Sequence, residues 1–104
     1  MVNTWIFYKV RKVVIMLTYN MSQRGRMTLT LFLYRSIKND ITSGALLPGD
    51  KLPSKRELAD HLSLSVITVE NAYILLEQEG YVSAVSRKGF FVNELALPFQ
   101  IAGN

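Results

Sequence analysis

From Thr28 onward the apolar residues fall into evenly spaced groups separated by turn residues. Leu33, Tyr34, Ile37 and Ile41 recur at i, i+1, i+4 and i+8, an apolar stripe along one side of a helix. Thr28 or Thr30 supplies its N-cap, and Gly44 stops it because glycine accepts the left-handed conformation that closes a helix. The stretch "LLPGDKLP" then holds Pro48-Gly49, a turn signal, and a short extended piece ending at Pro53. "PSKRELADHL" opens with a capping box: Ser54 accepts from the Glu57 N–H while the Glu57 carboxylate reaches back to the Ser54 N–H. Leu58, Ala59 and Leu62 line one face of that short helix.

Three residues, "SLS", lead into "SVITVENAY", where local propensity and periodicity disagree. Val66, Ile67, Thr68 and Val69 are β-branched and favour a strand. Alternation gives no clean face, however, whereas Val69, Ala72, Tyr73 and Leu76 fall at i, i+3, i+4 and i+7. Ser65 is a good N-cap, and the β-branched penalty is only a few tenths of a kcal/mol per residue, less than burial of four apolar side chains returns. The spacing predicts a helix over 65–79, ended by Gly80, with Val66, Ile67, Thr68, Glu70 and Asn71 facing outward.

Behind it, "YVSA" and "GFFVN" are strand candidates joined by "VSRK", with Gly89 able to take a positive φ, which makes a β-hairpin with a basic tip. The tail "ELALPFQIAGN" reads as the start of a linker. At the other end, "MVNTWIFYKVRKVVI" is apolar but broken by Lys9, Arg11 and Lys12, far short of the ~20 uncharged residues of a membrane span. Its charges lie inside the apolar run, which is not the order of a secretory signal. A basic strand or extension is expected there, and Met16 reads as a second candidate start.

Composition narrows the classes. The 104 residues give room for one small domain, and 49% hydrophobic with 19% charged residues suit a folded one. The absence of Cys excludes a disulfide scaffold, and with His61 as the single histidine a conventional zinc site is not expected. No nucleophile–base pair and no G-x-x-x-x-G-K-[ST] phosphate loop is present, so the chain is not read as an enzyme. The formal charge of +4 is unevenly placed: residues 1–27 carry five basic groups and no acid, while 28–104 carry seven basic groups and eight acids. Bulk charge therefore makes no case for nucleic acid, and the position of each charge has to.

The order helix, helix, three-residue turn, helix, hairpin is that of a helix-turn-helix followed by a wing. The expected fold class is α+β, mostly α: three helices plus a β-hairpin wing. In such an arrangement the helix over 65–79 enters the major groove and the wing over 81–93 meets phosphates or the minor groove. Thr68 and Asn71 suit bases or phosphates, Val66 or Ile67 a thymine methyl, and Lys55 and Arg56 phosphates or guanine. Arg87 and Lys88 at the hairpin tip suit the backbone. Taken singly, each pair is more often a solvated surface; placement on one face is what gives them weight.

These residues carry a resemblance. The G-x-L-x-P-G-x-x-L-P-S-x-R-x-L segment, the S-x-x-T-V start of the third helix, the L-E-x-E-G-Y exit and the G-x-F-V wing resemble the winged helix of GntR-family bacterial transcription regulators. The resemblance covers about two-thirds of the chain and implies DNA contacts at Arg56, Ser65, Thr68 and, on the wing, Gly89; Ser54, at the start of the same helix as Arg56, is a further candidate DNA-binding residue. Two positions depart from it: Val66 stands where many members carry Arg, and Glu70 where they carry Arg or another polar residue. "LTYNMSQRGRMTLTLFLYRSIKNDI" and "SVITVENAY" are similar to the MocR-like branch, in which a linker joins the winged helix to an aminotransferase-like domain that binds pyridoxal phosphate.

The expected organisation is therefore a basic N-terminal extension over 1–27, a winged helix-turn-helix over 28–93, and a linker from 94 toward a C-terminal domain absent from this sequence. Pyridoxal phosphate would belong to that absent domain, so no cofactor and no metal are expected here. Expected partners are an operator in double-stranded DNA and a second copy of the chain, in the cytoplasm and away from membranes. Two other readings stand beside this one: a winged helix used for protein–protein contacts, and a non-functional truncated product of an aminotransferase-fused regulator.

Overall fold

The computed structural model describes residues 17–95, and expectations for residues 1–16 and 96–104 lie outside it. A 3-10 turn over Met21–Arg24 precedes helix α1 (Leu29–Ser43), α2 (Lys55–Leu62), α3 (Val66–Gln78) and strands β1 (Val82–Val85) and β2 (Gly89–Val92). Each helix starts where a side chain satisfies an otherwise orphaned N–H. Thr28 caps α1, Ser54 caps α2 with the capping box complete, and Ser65 caps α3. Gly44 closes α1 at φ 89°, as its position predicts. Ser63 closes α2 in the left-handed region at φ 58°, a conformation usually announced by glycine or asparagine.

The helices bury the stripes expected of them. Leu33, Ile37 and Ile41 from α1 meet Leu58 and Ala59 from α2 and Val69, Ala72, Tyr73 and Leu76 from α3 in one core. Tyr34, placed on the same stripe by its spacing, lies only half-buried at the core's edge, where its hydroxyl donates to the Glu79 carboxylate. The β-branched run is helical, so tertiary burial of Val69 and its neighbours has overridden strand propensity.

The hairpin pairs Val82 with Val92, Ser83 with Phe91, Ala84 with Phe90 and Val85 with Gly89. Its other edge is covered by the extended piece before α2. The Leu52 N–H donates to the Phe90 carbonyl and the Val92 N–H to the Asp50 carbonyl, both at 2.8 Å, and Lys51 bridges Phe91. The wing is thus fixed to the segment that launches α2.

The described part of the segment before Thr28 packs against the domain. Leu17 is 5% exposed within the core, and Tyr19 and Met21 pack against it. The Tyr19 hydroxyl donates to Asp40 at 2.6 Å, and Thr18 is 2.8 Å from the His61 ring, so that histidine also has a partner. Burial and the Asp40 contact both push the Tyr19 phenol well above its ordinary range. Residues 17–27 show no helical or strand period, and only a neighbouring surface gives their apolar side chains a place.

Candidate nucleic-acid interface

The start of α3 is built by one serine. Ser65 has extended backbone angles, its Oγ accepts from the Thr68 N–H at 3.1 Å, and it lies 2.8 Å from Thr68 Oγ1. With Val69, Ala72 and Tyr73 held in the core, Ile67 and Asn71 are left pointing out, Ile67 at 60% exposure. Val66 does not face outward as expected. It is half-buried and packs against the core cluster, because the first turn of α3 leans on the domain there. The exposed apolar side chain of that turn is Ile67.

The first turn of α2 lies beside this face. Ser54 accepts from the Glu57 N–H at 3.1 Å and donates its own N–H to Glu57 Oε1 at 3.0 Å. Those bonds from Ser54 stabilise the carboxylate form and hold the Glu57 carboxyl below its ordinary value, with the Lys51 charge adding to the effect. Arg56 is exposed. Lys55, expected to point at phosphate or guanine, instead places Nζ 2.9 Å from Glu70 Oε2 on α3. Both side chains of this ion pair are about a third exposed, at 35% and 38%, so solvent screens it and its net worth is about 0–1 kcal/mol. Its geometric effect is larger than its energy, because it joins the N-terminal end of α2 to the second turn of α3.

The wing carries Arg87 and Lys88, both exposed, on a turn closed by the Lys88 N–H donating to the Val85 carbonyl at 2.9 Å. Arg87 occupies the left-handed region at φ 64°, a place where glycine or asparagine is the usual occupant. Gly89 follows at φ 120°, and a Cβ built there would lie 3.0 Å from Lys51 Cε. Nothing local in the sequence marks Lys51. Its neighbours show no period, and it joins the wing only through the pairing of its segment with β2.

Contacts link the wing to both helices as a strip. Gly89, next to Arg87 and Lys88 in the chain, lies beside Lys51. The Lys51 charge acts on Glu57 in the first turn of α2, and Lys55 in that turn pairs with Glu70 on α3, the neighbour of Asn71. Among the described residues no group of three or more His, Cys, Asp or Glu side chains is placed to hold a metal, and no helix is long and apolar enough to cross a membrane.

Known proteins share this arrangement. The "Uncharacterized HTH-type transcriptional regulator YdeF" of Bacillus subtilis is 48% identical over 61 residues, which is 59% of this chain and 13% of that relative. The "HTH-type transcriptional repressor YtrA" of the same species is 35% identical over 71 residues, 68% of this chain and 55% of YtrA. Among solved structures, YtrA from Sulfolobus acidocaldarius, a GntR-family transcription factor, superposes with a TM-score of 0.68 at 30% identity, covering 81% of this chain and 88% of that one. The family described as "Bacterial regulatory proteins, gntR family" matches residues 29–92, more than half of the chain. The chain therefore belongs to the gntR family of bacterial regulatory proteins, and its winged helix is a DNA-binding domain of a transcription regulator.

Proposed function

We propose that this winged helix reads an operator in double-stranded DNA, with the start of α3 in the major groove and the wing on the backbone or in the minor groove. The observation that carries this reading is the strip from Arg87 and Lys88 through Lys51 to the first turns of α2 and α3. It sets cations at its flank and hydrogen-bonding side chains on its helix. In this reading Asn71 and Ile67 meet base edges, Ser65 and Thr68 the edge of the groove, and Arg56, Lys51, Arg87 and Lys88 the phosphates.

Salt dependence tests it. A protein that neutralises phosphates releases counterions, so log K falls with log[salt] by about 0.9 per contact. Duplex binding in fluorescence anisotropy, strongest near ~50 mM salt and weakening steeply above it, is the expected result. No duplex binding at that salt, even by a chain dimerised through a fused coiled coil, overturns the reading. A protein–protein role is favoured by one observation, the eight acids against seven basic residues over 28–104, and that role gives no such salt slope on DNA.

We further propose that the parent protein belongs to the aminotransferase-fused branch and works as a homodimer. The support is the similarity of residues 17–41 and 65–73 to that branch, and the 13% of YdeF that this chain spans. Pyridoxal phosphate needs a lysine for its Schiff base. The cavity of about 130 Å³ lined by Ile41, Leu46, Pro48, Val92 and Leu95 with Thr42 and Asn93 has none. The cavity beside Phe32 and Arg35 has none either. These residues do not fit the cofactor, which in this reading binds a further domain of the parent protein. Expression of the open reading frame together with its downstream sequence, followed by absorbance spectroscopy and sizing, tests both points.

A further inference from the structure

Helix α3 contains two carboxylates, Glu70 and Glu77, and no cation, an unusual charge for a helix that lies against a polyanion. Glu70 is in its second turn, on the strip described above, where phosphate repulsion acts on it. Two features offset that repulsion and leave the side chain available. Lys55 from α2 holds Oε2 at 2.9 Å, and Oε1 has no hydrogen-bond partner among the described residues. The neighbouring hydroxyls of Ser65 and Thr68 are by contrast already 2.8 Å from one another.

We propose that Glu70, neutralised by Lys55, is a specificity-determining residue that selects cytosine. The inference rests on the DNA reading above. An ionised carboxylate only accepts hydrogen bonds. In the major groove guanine presents N7 and O6 acceptors, and thymine presents the O4 acceptor with a methyl group, so both are rejected. Adenine offers its N6 donor beside the N7 acceptor, whose lone pair faces the carboxylate. Cytosine offers the N4 donor alone, and it is the base that Oε1 accepts from best. Lys55 stays paired, so it cancels charge on the base-reading face and contacts no phosphate itself.

The test selects duplexes from a randomised library with the full chain, in parallel for wild type, Glu70→Gln and Glu70→Asp. The wild type is expected to enrich a motif with one cytosine position that Glu70→Gln converts to adenine, since an amide bonds adenine in two places. The preference at that position should change by at least about fivefold and flanking positions should not change. Glu70→Asp keeps the charge and the cytosine. An identical motif for wild type and Glu70→Gln overturns the inference and leaves the DNA reading intact, and so does an even weakening at every position, which marks Glu70 as a strut between α2 and α3. A wild type that enriches no motif removes the DNA reading and this inference together. Lys55→Met should weaken all duplexes, and adding Glu70→Gln to it should restore part of that loss; simple additivity of the two overturns the neutralising role.

Discussion

The Tyr73 hydroxyl donates to the Pro53 carbonyl at 2.7 Å, tying α3 to the residue just before the Ser54 cap of α2. The same ring meets Phe90 of β2 edge-on, with centroids 4.9 Å apart and planes at 63°. One side chain thus sets the spacing between α3, α2 and the wing. Burial pushes its phenol well above the ordinary tyrosine range, so it stays neutral and keeps its proton for Pro53.

Tyr73→Phe keeps the aromatic contact and leaves the buried Pro53 carbonyl without its donor. An unsatisfied buried acceptor costs ~1–3 kcal/mol, so the urea midpoint should fall accordingly. A midpoint unchanged within error would show that water reaches that carbonyl.

Leu17 tests whether the segment before α1 belongs to the cooperative unit. Its side chain is 5% exposed, and Leu→Ala in a core costs ~2–5 kcal/mol. Leu17→Ala is expected at the low end, because the site lies at the edge of the core and can partly collapse. Circular dichroism melts that match wild type would detach the segment from the fold.

The wing tip separates stability from binding. Arg87 sits at φ 64°, where an L-residue bears a strain of roughly 1–2 kcal/mol that glycine escapes. Arg87→Gly should therefore leave the melting temperature unchanged or raise it, while weakening every duplex alike and reducing the salt slope by about 1. Asn71→Ala should do the opposite on DNA, costing ~1–3 kcal/mol on the preferred sequence and little on others. Equal effects of both variants on all sequences would reverse the assignment of these roles.

At Gly89 the backbone, with φ 120°, excludes a side chain more firmly than the nearby Lys51 does. Lys51 Cε is near the end of a flexible chain and can move aside, but the dihedral cannot relax without breaking the Val85–Gly89 pairing. Gly89→Ala should cost ~1–3 kcal/mol in urea denaturation. Lys51→Ala should cost little stability and should weaken duplex binding.

Acid should loosen the start of α2. Glu57 has its carboxyl held below the ordinary 4.5 by the bonds from Ser54. A depressed folded value means the contribution is fully present above the unfolded value and is lost as pH falls through the folded one. Urea midpoints between pH 6 and pH 3 should therefore drop more for wild type than for Glu57→Gln, whose amide can still bond the Ser54 N–H. Parallel curves for the two proteins would remove this contribution.

Much of this arrangement was legible from residues close in sequence. Caps at Thr28, Ser54 and Ser65 and stops at Gly44 and Gly80 are local chemistry, and the stripes on α1 and α3 are periodic. Lys51 and the Lys55–Glu70 pair were not legible. Lys55 and Glu70 are fifteen positions apart, and nothing local distinguishes that lysine from one reaching for phosphate. The helical angle of Val66 points it outward and does not reveal how closely the first turn of α3 leans on the domain.

The sequence by itself determined which segments are helices, where they begin and end, and the family to which the winged helix belongs, because capping, periodicity and turn preference act over a few residues. The tertiary structure decided where the charges go. It turned Lys55 toward Glu70, brought Lys51 under the wing, drew Leu17 and Tyr19 into the body and left Ile67 exposed in place of Val66. Those outcomes depend on distances between elements far apart in the chain, which are fixed only when the core around Tyr73 packs.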